Sequence, residues 1–208
     1  MSNARVYCAG PLFNVKEREE MEQIAGVLEA RGLKTFLPQR DGLELTRCVE
    51  QLQTIGHSAS EAAELISEAV FALDVYQVLH GCHVVVANLN GRVPDEGTVA
   101  EAAMAWARGK AVVGYKSDSR SAFAGEDNPL VSGLFDFCLC SALEDIAPVV
   151  LEKLSQLDAS AHDPDREGAI GGRIGLGKRI WEVLERTRDV EEIVRTITGS
   201  RPTCVAAG

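Results

Sequence analysis

The sequence has few basic residues and no long apolar run. Lysine and arginine together number 21, against 31 aspartates and glutamates, which gives a formal net charge of −10. Nucleic acids and anionic membranes both attract basic surfaces, so this balance argues against either partner. No stretch approaches the roughly 18 consecutive apolar residues of a membrane-spanning helix. We therefore expect neither a nucleic-acid partner nor membrane association.

The cysteines and histidines do not form the spacings that metal sites use. No cysteine pair has the C-x-x-C spacing of zinc or redox sites, and no histidines cluster. The chain enters a strand-like run at Arg5 without a signal-type apolar segment. These features predict reduced thiols, no metal, no cofactor and a cytoplasmic location. The residues concerned are Cys8, Cys48, Cys82, Cys138, Cys140, Cys204, His57, His80, His83 and His162.

Alternation of strand-like and helical runs predicts the fold class. The 208 residues are 46% hydrophobic and 25% charged, as in a soluble globular domain. The βαβ alternation indicates a flavodoxin-like or Rossmann-like three-layer α/β sandwich with a mostly parallel five-stranded sheet. We predict strands at Arg5–Ala9, Lys34–Leu37, Cys82–Leu89, Ala111–Tyr115 and Phe135–Cys140. Helices are predicted at Lys16–Arg31, Glu61–Leu79, Thr98–Arg108 and Ala142–Leu157.

The chain is predicted to form one main domain with an extension. Residues 1–157 make the α/β domain, and residues 158–208 make a linker and a C-terminal helical extension. Within the extension, Gly172–Lys178 has the G-x-x-x-x-G-K spacing of a phosphate-binding loop. However, Arg179 stands where that loop needs Ser or Thr, and no strand precedes the glycines. A hinge before a packing helix, Lys178–Thr198, is the preferred interpretation.

An acidic glycine turn follows the third predicted strand. The segment Pro94–Glu101 reads P-D-E-G-T-V-A-E and runs directly into a helix of small residues. A loop between a strand and the next helix lies at the carboxyl edge of the sheet, where open α/β folds bind ligands. The loop is acidic and carries no basic residue for a phosphate. It therefore suits a sugar or another polyol.

Three carboxylates fall where a doubly wound sheet would gather them. They are Asp74 before the third strand, Asp95 in the loop after it, and Glu101 one turn into the next helix. Displacement at an anomeric carbon needs a carboxylate nucleophile and an acid that protonates the departing group. A position near a helix N-terminus favours the charged form of a carboxylate. Glu101 is therefore the candidate nucleophile.

Each carboxylate also has a structural interpretation. Thr98 and Glu101 match the S/T-x-x-E capping box, in which Glu101 would bond the start of its own helix. Asp74 could be a solvated helix residue, and Asp95 could be a simple turn former. These alternatives stay open at the level of the residues.

The order of several motifs resembles the nucleoside 2-deoxyribosyltransferase family. The opening Tyr7-Cys8-Ala9-Gly10-Pro11 with nearby Phe13 is similar to that family's aromatic, A-G-P and Phe. Its D-x-G-x-x-x-E block, followed by a small-residue helix and G-K, is matched by Asp95, Gly97 and Glu101. An upstream Asp matches Asp74, and an Asn after the fourth strand matches Asn128. The resemblance covers roughly residues 4–150.

The resemblance implies a role for each matched residue. Glu101 would be the nucleophile that holds the 2-deoxyribosyl group as an ester, Tyr7 would orient it, and Asp74 would protonate the leaving base. Asp95 would hold the sugar 5′-hydroxyl, with Asn128 reaching the same region from a neighbouring subunit of a homo-oligomer. Phe13 would stack on the base, although it could equally be a core residue. Gly10 and Gly97 belong to the matched substrate-binding motifs.

The implied activity is exchange of the base of a 2′-deoxyribonucleoside for a free nucleobase, with retention and without a cofactor. Relatives that cleave nucleoside 5′-monophosphates tend to have Ser where Asp95 stands, so an unphosphorylated substrate is favoured. Two rivals remain: an N-glycosidase in which water resolves the intermediate, and a non-catalytic nucleotide-sensing domain. The sensor would tolerate loss of Glu101.

Overall fold

The structure, a computed structural model, describes residues 4–118 and 127–160 and residues 179, 182, 183, 186 and 187, with side chains up to residue 156 in the second range. The chain divides into two compact units, Met1–Asp158 and Ala159–Gly208. The second unit is described at a few positions, of which residues 179, 182, 183 and 186 are helical. The predicted linker beyond Ser160, the Gly172–Lys178 stretch and most of the predicted C-terminal helix lie outside the described residues.

The first unit is built on a five-stranded parallel sheet, which confirms the predicted fold class. Its strands are β1 (Arg5–Ala9), β2 (Lys34–Phe36), β3 (Val84–Asn88), β4 (Ala111–Tyr115) and β5 (Leu139–Cys140). They are paired in the order β2-β1-β3-β4-β5. Tyr7 of β1 lies opposite Phe36 on one side and Val85 on the other. The strand order reverses between β1 and β3, the switch point where such sheets bind ligands.

Helices connect the strands, and local hydrogen bonds decide where several of them begin. The helices are α1 (Val15–Glu29), α2 (Pro38–Asp41), α3 (Leu45–Thr54), α4 (Ala59–Tyr76), α5 (Glu96–Ala107), α6 (Pro129–Leu134) and α7 (Leu143–Ser160). Asn14 and Glu17 form a capping box at the start of α1, and Ser58 and Glu61 form another at α4. A π-helical turn, Gln77–Gly81, continues α4 toward β3.

Alternate residues of the strands contribute side chains to two separate hydrophobic cores. Val6 and Val84 face the core shared with α1 and α7, which includes Met21 and Ile146. The opposite face of the sheet packs against α5, the π-helical turn and Phe135, through buried side chains such as Tyr7, Val85 and Val112. Because strand side chains alternate between faces, Tyr7 points away from α1 and toward the layer that contains α4 and α5.

Two parts of the fold differ from the prediction. Helices α2 and α3 lie within residues 38–54 and α6 lies within residues 116–134, and no element was predicted in either stretch. Strand β5 has two residues and not the predicted six. Asp136 and Phe137 have φ values of 56° and 60°, which no strand can accommodate. Phe135, predicted to begin the strand, instead packs from the end of α6 with its side chain buried.

The cysteines partly follow the expectation of reduced thiols. Cys8, Cys48, Cys82 and Cys140 are free. Cys138 is disulfide-bonded, so the expectation is wrong at that position. Among the described residues, no helix is long and apolar enough to cross a membrane. The same part of the chain contains no group of three or more His, Cys, Asp or Glu side chains placed to hold a metal ion.

Candidate active site

The central contact of the site joins β1 to α5. The hydroxyl of Tyr7 donates a hydrogen bond to Oε1 of Glu101 at 2.5 Å. Tyr7 is fully buried, and its ring stacks on Phe36 of β2 with a centroid separation of 5.5 Å and an interplanar angle of 21°. The register of β1 and β2 places these two rings side by side. The phenol is therefore held firmly against the carboxylate.

Glu101 does not cap its own helix. Helix α5 begins at Glu96, and Asp95 is its N-cap, with Oδ2 accepting from the backbone N–H of Thr98 at 2.8 Å. Thr98 is thus the third residue inside the helix and not the cap, so the T-x-x-E box is not formed. The structural interpretation of Glu101 is wrong for this reason. The carboxylate of Glu101 is directed to Tyr7.

Asp74 approaches the same hydroxyl from the last turn of α4. It is half-buried, and it interacts with the Tyr7 hydroxyl, which also bonds Glu101. Burial raises the pKa of Asp74, and the interaction with Tyr7 lowers it in part. The interpretation of Asp74 as a fully solvated helix residue is therefore wrong. The structure brings Tyr7, Asp74 and Glu101 together, as the sequence predicted.

The electrostatic environment of this cluster keeps a proton on its carboxyl groups near neutral pH. Burial, with the negative charges of Asp74 and Asp95, raises the pKa of Glu101 to about 7, against the lowering effect of the Tyr7 hydrogen bond. Burial and the neighbouring Glu101 also raise the pKa of Tyr7, so the phenol remains a neutral donor. Interacting carboxylates titrate as a group. The cluster can therefore supply both an ionised carboxylate and a protonated acid at ordinary pH, the pair that acid-assisted displacement requires.

Asp95 is close enough to raise the pKa of Glu101 electrostatically. Its Oδ2 accepts two hydrogen bonds, one from the Thr98 N–H and one from the Thr98 hydroxyl at 2.9 Å. No described residue donates a hydrogen bond to its Oδ1. The structural role of Asp95 is thus that of a helix N-cap, which uses one of its two oxygens. A Cβ at Gly97 would lie 3.2 Å from Oδ2, so the glycine leaves room for this carboxylate.

Within the described part of the chain, no hydrogen bond or ring contact joins Phe13 or Asn128 to the carboxylate cluster. Phe13 is 82% exposed and precedes the capping box of α1, so the interpretation of Phe13 as a core residue is wrong. Asn128 caps α6 by accepting from the Leu130 N–H at 2.9 Å. The preceding Asp127 forms a buried ion pair with Lys116 at 2.8 Å. That pair ties the start of α6 to the end of β4.

Gly10 lies at the end of β1, where the chain passes α1 closely. A Cβ at this position would overlap Sδ of Met21 and would lie 3.1 Å from Cβ of Asn88. The glycine is therefore required for packing between β1, β3 and α1. A contact between Gly10 and a substrate remains a prediction.

Sequence reasoning missed two residues of the site, Thr98 and Phe36. Thr98 was assigned the cap position, whereas it is buried and supports Asp95 with its backbone and its hydroxyl. Phe36 was a strand residue without an assigned role. Its position beside Tyr7 follows from the β1–β2 register, which no local pattern contains. An Asp three residues before a Thr at a helix start was the available signal for an Asp N-cap.

Fold and site together define a doubly wound α/β protein with a partly buried carboxylate cluster at the switch point of its sheet. The sequence profile for nucleoside 2-deoxyribosyltransferases matches residues 6–135. The chain belongs to the nucleoside 2-deoxyribosyltransferase family. Members of this family are pentosyltransferases with nucleosides as small-molecule substrates. A comparison with curated proteins gives no match.

Solved structures share the fold at low sequence identity. A conserved protein from Enterococcus faecalis V583 superposes with a TM-score of 0.52 and 22% identity, over 74% of this chain and 98% of its own. A 2-deoxyribosyltransferase from Bacillus psychrosaccharolyticus superposes with a TM-score of 0.50 and 18% identity, over 69% of this chain and 90% of its own. These similarities extend to the fold alone.

Proposed function

We propose that the protein transfers the 2-deoxyribosyl group of a 2′-deoxyribonucleoside from one nucleobase to another. The observation that carries the proposal is the 2.5 Å hydrogen bond from buried Tyr7 to Glu101, in a cluster that also contains Asp74. A helix-capping role for Glu101 would leave this contact unexplained. Membership of the family supports the same reaction class.

In the first step, ionised Glu101 attacks C1′ of the nucleoside. The bond from C1′ to the base nitrogen breaks, and its electron pair leaves with the base while Asp74 supplies the proton that neutralises it. The products are a free base, a 2-deoxyribosyl ester of Glu101 and ionised Asp74. The hydrogen bond from Tyr7 keeps the unreacted carboxylate ionised and aimed, because it stabilises the charged form.

In the second step, a nitrogen of the incoming base attacks C1′ of the ester. The C1′–oxygen bond breaks, the electron pair returns to Glu101, and Asp74 takes the proton that the incoming base loses. Two displacements at one carbon give net retention of configuration. The residues are then restored to their starting states, and the balance needs neither a metal nor a redox cofactor.

The substrate is proposed to be an unphosphorylated nucleoside. Asp95 lies near Glu101 and offers a carboxylate oxygen to a sugar hydroxyl, whereas a phosphate dianion at close range would be repelled by several kcal/mol. Phe13, as an exposed aromatic after β1, is proposed to stack on the base. The active form is proposed to be a cytoplasmic homo-oligomer in a base-salvage role, with Asn128 contributed by a neighbouring subunit.

The proposal is tested by incubating the protein with deoxyinosine, with and without free adenine, and separating the products by chromatography. Deoxyadenosine that forms only in the presence of adenine is the expected result. Hypoxanthine with free deoxyribose would identify an N-glycosidase, in which water replaces the incoming base. No reaction in either mixture would contradict an enzymatic function and would favour a sensing domain. Glu101→Gln is the matched inactive control.

A further inference from the structure

The Thr98 hydroxyl is a buried polar group that has no role in the two steps of the proposed reaction. Thr98 is 1% exposed, and both its N–H and its hydroxyl donate to the same oxygen of Asp95. A helix N-cap needs only the N–H contact. The second hydrogen bond therefore adds something beyond the start of α5.

The second hydrogen bond restricts the orientation of the Asp95 carboxylate. One donor leaves the group free to rotate about the oxygen it holds, whereas two donors on Oδ2 set the plane of the group and the direction of Oδ1. No described residue donates to Oδ1, and the charge of Asp95 acts on Glu101. A fixed, unoccupied acceptor is thus presented beside the proposed nucleophile.

The absence of a side chain at Gly97 is an independent sign that the position of Oδ2 is tightly constrained. A Cβ there would lie 3.2 Å from Oδ2, which is closer than ordinary van der Waals contact. Oδ2 is therefore held by Thr98 and bounded by the Gly97 backbone. Movement of Asp95 by a few tenths of an ångström would be enough to misdirect Oδ1.

We propose that Thr98 is a positioning residue that orients Asp95 to accept a hydrogen bond from the substrate's 5′-hydroxyl, and so makes that hydroxyl a specificity requirement. The inference rests on the proposed function. A rigid acceptor favours the binding of a neutral donor. The hydroxyl can then bond an ionised oxygen that is already oriented, and no free energy is spent on reorganising the carboxylate. Thr98 acts through Asp95 and does not contact the reacting atoms.

The test compares Thr98→Val, which keeps the shape but removes the hydroxyl, with Thr98→Ser, which keeps the hydroxyl. Each is assayed for base exchange with deoxyinosine and with 2′,5′-dideoxyinosine, which lacks the 5′-hydroxyl. For the unsubstituted protein, removal of the 5′-hydroxyl should lower kcat/KM by about tenfold or more, the worth of a hydrogen bond to a charged group. In Thr98→Val this penalty should largely disappear, with the loss mainly in KM, whereas Thr98→Ser should retain it.

An equal loss on both substrates, or no loss on either, would overturn the role of Thr98 while leaving the transferase activity established. If Thr98→Val does not fold, Gly97→Ala carries the same test. It displaces Oδ2 without touching the hydroxyl, and it should reduce the preference for the 5′-hydroxyl in the same direction. An unchanged preference in Gly97→Ala would then overturn the inference. Absence of base exchange by the unsubstituted protein would reject the proposed function and this inference with it.

Discussion

Tyr7 and Glu101 are 94 residues apart in the chain, yet the phenol of one donates to the carboxylate of the other at 2.5 Å. This hydrogen bond crosses from the centre of the sheet to the second turn of α5. It stabilises the ionised form of a carboxylate whose burial favours the protonated form. The balance between these two effects sets the pH at which Glu101 can act as a nucleophile.

Replacement of Glu101 by Gln should abolish base exchange and stabilise the fold above pH 7. The pKa of Glu101 rises from 4.5 to about 7 on folding, so the folded state binds more protons between these values. The stabilisation that comes from proton binding by Glu101 in the folded state is therefore fully present below pH 4.5, and it is lost as the pH rises through 7. At pH 8 the variant should gain roughly 1–3 kcal/mol in free energy of unfolding, measured by urea denaturation.

The matched control is Glu96→Gln, an exposed residue at the start of the same helix. It should leave both activity and the pH dependence of stability close to those of the unsubstituted protein. A Glu101→Gln protein that is less stable at pH 8 would contradict the interpretation of Glu101 as a partly buried carboxylate with a raised pKa.

Replacement of Tyr7 by Phe should move the acidic limb of the pH–rate profile to higher pH. The profile of kcat/KM for the unsubstituted protein should fall below pH 7 as Glu101 becomes protonated. Without the phenol, the hydrogen bond that lowers the pKa of Glu101 is gone, so the limb should shift to higher pH. The ring remains available to stack on Phe36. Tyr115→Phe, a buried tyrosine in the core formed with α1 and α7, should leave the limb in place.

Replacement of Asp74 by Asn should affect substrates according to their leaving group. Transfer from deoxyinosine should fall by about two to four orders of magnitude, the usual worth of a positioned general acid. Release of 4-nitrophenol from a 4-nitrophenyl 2-deoxyriboside should fall far less, because that group departs without a proton. Glu68→Gln, exposed and earlier on α4, is the control. Equal losses on both substrates would argue that Asp74 acts in some other way.

Replacement of Gly10 by Ala should destabilise the fold. The added Cβ would overlap Sδ of Met21, and overpacking of this kind costs about 1–3 kcal/mol. Gly26→Ala is the matched control, since a Cβ there meets nothing within 4 Å and lies in the interior of α1. It should stabilise by about 0.5–1 kcal/mol. Thermal denaturation of both variants distinguishes a packing role for Gly10 from a purely substrate-binding one, which would leave stability unchanged.

A shared site between subunits predicts complementation. Glu101→Gln lacks the nucleophile, and Asn128→Ser lacks the amide but can still cap α6. Co-expression should produce mixed oligomers in which some sites combine an intact Glu101 with an intact Asn128, and activity should exceed the sum of the two variants. Activity equal to that sum would contradict a contribution of Asn128 from the neighbouring subunit.

Most of the sheet could be predicted from the sequence because its signals are local. The apolar runs at β1, β3 and β4 and the breaks at Gly10 and Gly109 mark the strands and turns without reference to distant residues. The region 38–54 gave no such signal, because α2 and α3 are short and bury no side chain completely. β5 was overestimated because Phe135 is apolar and buried although it ends a helix.

The motif order indicated the family, a prediction that the family match confirms. The roles of the matched residues stay predictions. Phe13 shows the limit of the sequence, since an aromatic after a strand can be buried or exposed, and only the path of the chain into α1 leaves it 82% exposed.

The sequence alone determined the α/β class and the family, and it predicted the three carboxylates of the candidate site. Only the tertiary structure decided which hydrogen bonds those carboxylates make. Asp95 and Thr98 could each have begun α5, and Asp is the preferred cap of the two. Asp95 begins the helix, and the position of α5 beside β1 brings the Glu101 carboxylate to the Tyr7 hydroxyl, where partial burial makes an unpaired carboxylate costly.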